Sequence, residues 1–224
     1  MGKMAVEKTT VVLGVLGAAA VGVVVLFVRR RRGQHETAPS SKPTLQRAAT
    51  QSGLTWRPNA HLSPGGRRQF KAFISHMKHE AAMEARFVQS ELESLTGKRC
   101  FLDSDDLKDL NHLTDHVLKS EVLVLIQSRS VLHRPWCLIE LVTAVNAGIP
   151  IIGVSLEGRP DAAYSFESAR ELLGSLDEKL EALTPGATAT LREHQIDLVE
   201  AAWLLSSTLP RIISVSSRPH ETPQ

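Results

Sequence analysis

Aromatic residues and cysteines are scarce in this sequence of 224 residues. Aromatic side chains make up only 4% of the chain, so valine, leucine, isoleucine and alanine must fill its hydrophobic core. The only cysteines are Cys100 and Cys137, and a cytosolic domain would keep both reduced. Apolar residues nevertheless reach 42%, which is enough for a core, and the length predicts one domain with additional segments.

Motifs that would identify common enzymes are also missing. The chain has no Walker loop, no GxGxxG turn and no nucleophile elbow. An acidic run over residues 103–109 lacks the glycine and the distal glutamate of an EF-hand, so we interpret it as a solvated loop. The nine histidines have no third ligand at a fixed spacing. We therefore expect neither a metal site nor a bound cofactor.

The positive charge of the chain is concentrated in its N-terminal part. Residues 1–66 carry nine lysines and arginines against two acidic residues, whereas residues 67–218 carry seventeen against twenty-one. The C-terminal part therefore lacks the basic surface that marks nucleic-acid-binding proteins, and no nucleic-acid partner is expected.

One uncharged stretch, residues 11–28, is long enough to cross a membrane. As a helix it would span about 27 Å, close to the thickness of the hydrocarbon core of a bilayer. Four arginines follow at residues 29–32, whereas a signal peptide carries its charge before the apolar run. The sequence predicts a transmembrane helix over residues 9–28 and membrane attachment through residues 9–32. A cleaved signal and a buried helix are the alternatives.

The positive-inside rule places the rest of the chain in the cytosol. We expect a single-pass membrane protein, by analogy in the mitochondrial outer membrane, with the endoplasmic reticulum and the plasma membrane as open alternatives. Residues 29–66 are rich in polar residues, proline and glycine without an apolar period, which predicts a basic stop and a disordered tether. A domain over residues 67–215 and a disordered tail over residues 216–224 complete the predicted organisation.

Apolar runs and helical periods alternate within the predicted domain. Residues 122–126 and 149–154 are continuously apolar, which is typical of strands buried on both faces of a parallel sheet. Helical periods extend over three stretches, residues 79–96, 167–183 and 191–209. The first places Met83 and Phe87 on its apolar stripe, and a fifth strand at residues 212–215 is not obvious. The alternation predicts an α/β fold, a parallel sheet with helices on both faces.

A tryptophan and a glutamate follow the most apolar of these strands. Pro135 opens a predicted helix after residues 122–126, and Gly148 ends it. Trp136 and Glu140 are four residues apart, so they share one face, which points away from the apolar stripe of the helix. An aromatic ring and a carboxylate are thus expected just beyond the carboxyl end of a central strand, where ligands bind in open α/β sheets.

Four motifs follow one another along the domain: FKAFISH, CFLDSDDL, VLVLIQS and WCLIEL. In this order and spacing they resemble the Toll/interleukin receptor (TIR) domain family. The resemblance is strong over residues 67–156 and extends to about residue 215 by length and pattern alone. It implies a flavodoxin-like parallel sheet of five strands with helices on both faces, here preceded by one transmembrane helix. Some TIR domains cleave NAD and release nicotinamide, and others are adaptors that bind further TIR domains.

The resemblance implies which residue is catalytic. Family members that cleave NAD use a glutamate on the helix after the third strand, and Glu140 occupies that position. The switch point of such a sheet lies between its first and third strands, so substrate-binding residues are expected there. The candidates are Ser75, His76, Lys78, Ser128, Trp136 and Cys137. Lys78 would meet a phosphate and Trp136 would supply an apolar wall, whereas His76 is interpreted as a hydrogen-bonding loop residue and Cys137 as a packing residue.

Two departures from the family pattern concern the first strand and the loop after the second strand. Lys71 stands where the first strand usually has aspartate, and Leu110 replaces the usual glycine of the loop. In family assemblies this loop contacts neighbouring TIR domains. Its candidate self-association residues here are Asp105, Asp106, Leu107 and Lys108. The segment is about one helical turn short, which leaves its mode of assembly open.

These observations predict a membrane-tethered TIR NAD glycohydrolase that acts in signalling, in the context of innate immunity. NAD would be its substrate, ADP-ribose or a cyclic form its product, and TIR–TIR contacts would form a homo-oligomer. The alternative is a non-catalytic adaptor that recruits other TIR proteins. The enzymatic hypothesis requires that the Glu140 carboxylate lie open to a cavity that accommodates a dinucleotide.

Overall fold

The computed structural model of the chain describes residues 68–102, 113–156 and 159–217. The strands are β1 (Phe73–Ser75), β2 (Phe101–Leu102), β3 (Leu123–Gln127), β4 (Ile151–Leu156) and β5 (Ile213–Ser217). The α-helices are α1 (Lys78–Thr96), α2 (Leu113–Leu118), α3 (Pro135–Asn146), α4 (Phe166–Leu173), α5 (Leu176–Leu183), α6 (Ala187–Glu193) and α7 (Leu198–Thr208). No helix within these ranges is long and apolar enough to span a membrane. The predicted transmembrane helix and tether lie outside the described residues.

The five strands form one parallel sheet in the order β2-β1-β3-β4-β5. This order and direction are those of flavodoxin-like folds, so the predicted α/β class is confirmed. The register places Ser75 of β1 opposite Leu125 of β3, and Leu125 opposite Gly153 of β4. The fifth strand, which the sequence does not make obvious, pairs with β4 at the edge of the sheet.

Helices cover both faces of the sheet. The core on one face combines β-strand residues with the buried side of α1, and the core on the other face includes residues of α2 to α7. The placement of Met83 and Phe87 on the apolar stripe of α1 was wrong, because these two side chains are exposed by 83% and 46%. Small residues let α1 approach the sheet closely, and the larger side chains point outward. The buried side of α1 consists of Ala81, Ala85, Val88 and Leu92.

Glycine and proline end and begin helices at their usual positions. Gly97 follows α1 and Gly148 follows α3, both in the left-handed region with φ of 63° and 64°, which glycine adopts without strain. Pro135 is the first residue of α3, as predicted. The helix predicted over residues 167–183 is instead two helices, α4 and α5, which are separated by Gly174 and the residue after it. The helix predicted over residues 191–209 is likewise divided between α6 and α7.

Lys71, the residue that departs from the family pattern in the first strand, forms a buried ion pair. Its Nζ lies 2.8 Å from the Glu121 carboxylate, and Nζ of Lys98 lies 2.8 Å from the other carboxylate oxygen. The Lys71 and Glu121 side chains are only 8% and 12% exposed. Burial alone would raise the pKa of Glu121, but the hydrogen bonds and charges of the two lysines hold it below its usual value. The lysine at this position is therefore paired within the fold.

We expect Glu121→Gln to destabilise the protein by about 2 kcal/mol at pH 7, because Lys71 then lacks its carboxylate partner. Since the pKa of Glu121 is lowered on folding, its contribution is present above the ordinary value of 4.5 and is lost as the pH falls through the lower folded-state pKa. Chemical denaturation of both proteins between pH 7 and pH 3 measures the difference. A constant difference down to pH 3 would contradict the assignment.

Candidate functional site

The N-terminus of α3 is fixed above the carboxyl end of β1. The Arg134 Nη1 atom donates a hydrogen bond to the backbone oxygen of His76 at 2.9 Å, and the Cys137 thiol donates to the same oxygen at 3.4 Å. His76 and Cys137 are both buried. The first turn of α3 is thus attached to the residue that leaves β1, so the chain brings these two elements together at the switch point of the sheet.

Glu140 lies in the middle of α3 and has no exposed surface. Its neighbours Ile139 and Leu141 belong to the hydrophobic core on this face of the sheet. The prediction that the face of Trp136 and Glu140 points away from the core is wrong for Glu140. The physical reason is that α2, α6 and α7 pack against α3 from outside, so α3 is buried on nearly all sides. Trp136 is partly buried, with its ring edge-on to His194 at 5.1 Å.

Three polar side chains have no exposed surface: two lie on the face of the sheet that α3 covers, and the third belongs to α3 itself. They are Ser75, Gln127 and Glu140, which we name the polar layer. Ser75 is two residues from Phe73, and Gln127 is two residues from Leu125, so each shares a face of the sheet with a residue of the core packed on α3. Glu140 lies about 7.5 Å along α3 from its first residue. Such a layer of buried polar groups is unusual in a protein core.

Two members of the polar layer lack hydrogen bonds within the described residues. The Ser75 hydroxyl and both polar atoms of the Gln127 amide have no such partner. Leaving a buried polar group unsatisfied costs about 1–3 kcal/mol, and native proteins contain few such groups. Packing gives no reason to keep an amide at the position of Gln127, where a leucine would continue the pattern of β3. The polar layer therefore has the chemistry of a place reserved for a polar ligand or water.

The Gln127 side chain lies against β4 at Gly153. A Cβ atom at Gly153 would lie 2.7 Å from Gln127 Cδ and 2.7 Å from Ser214 Oγ. Gln127 thus occupies space that any other residue at position 153 would fill, and Ser214 of β5, which is exposed, borders the same space. Gln127 was not among the site residues predicted from the sequence. The sequence feature that could have identified Gln127 is a polar residue at the end of an apolar run, on the same face of the strand as Leu123 and Leu125.

Ser128 lies on the other side of the sheet edge from Glu140. It lies near Glu80 of α1, whose carboxylate accepts a hydrogen bond from the Ser130 backbone N–H at 2.9 Å, while the buried Ser128 hydroxyl has no hydrogen-bond partner among the described residues. Burial alone would raise the pKa of Glu80, but its serine neighbours and His133 hold it below its usual value. Ser128 is therefore separated from the polar layer.

Some of the other predicted substrate-binding residues lie next to α3, and one does not. The structure groups Ser75, His76 and Cys137 with α3, at the carboxyl end of β1. Lys78, at the start of α1, is exposed. The predicted self-association residues Asp105, Asp106, Leu107 and Lys108 lie outside the described residues.

A groove of about 360 Å³ lies beside α3 without including Glu140. Its lining comes from α2, from α3 and from the segment before α7, and includes Ile139, Asn146 and His194. Glu140 is about 100° around the helix from Ile139 and does not line this groove. The expectation that the Glu140 carboxylate lies open to a cavity is therefore wrong for this structure, because the side chain has no exposed surface.

Within residues 68–102, 113–156 and 159–217, no group of three histidine, cysteine or acidic side chains is placed to hold a metal ion. A comparison of the chain with protein-family models finds no match. A comparison with curated proteins also finds none. The resemblance of the four sequence motifs to TIR domains therefore stays a prediction.

Proposed function

We propose that the chain is a TIR-type NAD glycohydrolase in which Glu140 is the catalytic residue. The observation that supports this function best is the placement of Glu140. It is a fully buried carboxylate on α3, the helix whose first turn is attached at the carboxyl end of β1 and which covers the face of the sheet that carries Ser75 and Gln127. Acidic residues are almost never fully buried without a specific reason, and buried titratable groups in such places are candidates for catalysis.

The chemistry of NAD cleavage requires a single carboxylate. Breaking the bond between nicotinamide and ribose develops positive charge on the ribose, as in the hydrolysis of glycosides. Nicotinamide leaves as a neutral ring from a cationic pyridinium, so no acid is needed to protonate it. A carboxylate held in a water-poor environment stabilises the developing cation more strongly than it would in water. Glu140 would supply this charge and would accept hydrogen bonds from the ribose hydroxyls.

The burial of Glu140 makes access part of the proposal. Since the carboxylate has no exposed surface, NAD reaches it only after a shift of α3 or of a segment that packs on it. We assign this shift to self-association, which a membrane anchor at residues 9–32 would favour by raising the local concentration. In this proposal the dilute chain is closed and the assembled chain is active, and NAD is a substrate with no separate cofactor.

The test compares the full chain at low and high density on lipid vesicles. We expect nicotinamide release, measured by chromatography after incubation with NAD, to rise at least about tenfold per molecule at high density. Full chain with Glu140→Ala, prepared in the same way, controls for contaminating enzymes. No release above this control at any density would contradict the enzymatic function.

The second candidate function is a TIR adaptor, and the closed position of Glu140 favours it. An adaptor needs no access to this carboxylate and uses its outer surface instead. The exposed side chains of Met83, Phe87 and Trp203 are large apolar residues of the kind that protein interfaces use. An adaptor would recruit a second TIR protein to vesicles equally well in wild type and in Glu140→Ala, and neither protein would release nicotinamide.

A further inference from the structure

The Gln127 amide is the least explained polar group in the described part of the chain. It has no exposed surface, and neither its Nε2 nor its Oε1 has a hydrogen-bond partner there. An amide has two N–H donors and one carbonyl acceptor, so it can bind a complementary group in a bidentate manner. A fold that needed only packing at this position would be served better by leucine or methionine.

The Gln127 amide fills the space beside Gly153. Gly153 has no side chain, and a Cβ atom added there would lie only 2.8 Å from Gln127 Oε1. The small Ser214 side chain borders the same space. Ser214 belongs to the edge strand and is exposed, whereas the Gln127 amide has no exposed surface. On the other side, Ser75 of β1 presents a second hydroxyl without a partner within the described residues. The amide thus lies between small residues of the neighbouring strands.

We propose that Gln127 determines specificity by binding the carboxamide group of the nicotinamide ring, an inference that rests on the proposed function. A primary carboxamide offers one acceptor and two donors, and it therefore complements the Gln127 amide in both directions. A carboxylate at the same place has no donor for Oε1. The site thus prefers NAD to the dinucleotide that carries nicotinic acid in place of nicotinamide. Buried polar groups that would be left unpaired are what make such discrimination strong.

The test measures kcat/KM of the full chain on dense vesicles for NAD and for the nicotinic acid dinucleotide. The two substrates differ in intrinsic reactivity, so the quantity compared between proteins is the ratio of their kcat/KM values. We expect Gln127→Met, which keeps the length of the side chain and removes its hydrogen bonds, to lower the preference for NAD about tenfold or more. Gln89→Met is the matched control, because Gln89 lies on α1 and donates to the Cys100 oxygen at 3.2 Å.

An unchanged ratio in a folded Gln127→Met protein would overturn the inference, while Glu140-dependent release from wild type would still support the proposed function. If wild type cleaves neither dinucleotide, the proposed function fails and binding decides the inference. Saturation-transfer NMR with free nicotinamide and free nicotinic acid then serves as the readout. Selective binding of nicotinamide that Gln127→Met abolishes supports the inference, and equal binding of the two or no binding overturns it. The wild-type selectivity needs no variant, so it remains informative if Gln127→Met does not fold.

Discussion

The full chain with Gly153→Ala is expected to be less stable than wild type by about 2–3 kcal/mol. The added methyl group would lie 2.7 Å from Gln127 Cδ and from Ser214 Oγ, well inside van der Waals contact. Gln127 is fully buried and has little space into which it can move, so strands β3, β4 and β5 must separate locally or the side chain must adopt a strained rotamer. Chemical denaturation monitored by circular dichroism gives the free energy of unfolding.

A double-mutant cycle isolates the contact between Gly153 and Gln127. In a Gln127→Ala background the space beside residue 153 is open, so Gly153→Ala should cost less than about 1 kcal/mol there, a coupling of about 2 kcal/mol. Gly174→Ala is the matched control, since φ at Gly174 is −68° and the nearest atom to its new Cβ, the Arg170 oxygen, would lie 3.3 Å away. An equal cost of Gly153→Ala in both backgrounds would show that Gln127 is not the obstacle.

The elements that the sequence predicts well are those decided by neighbouring residues. The strand β3 follows from a continuous apolar run, and the limits of α3 follow from Pro135 and Gly148. The switch point between β1 and β3 follows from the order of the strands, which the family resemblance supplied. These features need no knowledge of what packs on the outside of an element.

The features that the sequence misjudged depend on a second layer of packing. A helix covered on one side and a helix covered on both sides can share the same apolar stripe, so periodicity placed Glu140 at the surface although α2, α6 and α7 enclose α3. In α1 the prediction placed the larger residues Met83 and Phe87 on the buried side, whereas Ala81 and Ala85 are among the residues buried there. The contact of Gln127 with Gly153 joins residues of different strands and has no local signature.

The burial of Glu140 changes what the chain must do to act on NAD. An exposed carboxylate would be hydrated, and its charge would stabilise a cation only weakly. Glu140 is instead kept from water by the packing around α3. On the proposed function, its carboxylate would act on the ribose cation more strongly than an exposed one once substrate replaces that packing. On the proposed function, burial of Glu140 would therefore have two effects: the packing around α3 must open before NAD can enter, and the carboxylate then stabilises the ribose cation more strongly. An enzyme of this kind would be silent when dispersed, which suits a signalling role.

Replacement of Glu140 by glutamine is expected to reduce kcat for nicotinamide release about a thousandfold, which corresponds to about 4 kcal/mol in the activation free energy. Glutamine keeps the shape and the hydrogen-bonding carbonyl of the side chain but removes the charge that opposes the ribose cation. KM should change little, because the interaction that is lost forms mainly in the transition state. Rates of nicotinamide release by the full chain on dense vesicles provide both constants.

Two companion variants separate a catalytic role of Glu140 from a structural one. Glu140→Asp keeps the charge but withdraws it by about one methylene, so its kcat should lie between those of wild type and Glu140→Gln. Glu171→Gln removes an exposed carboxylate of α4 and should leave both constants unchanged. If Glu140→Gln retains wild-type kcat while its melting temperature falls, the buried carboxylate serves the fold, and the stabilising charge in NAD cleavage must come from another residue.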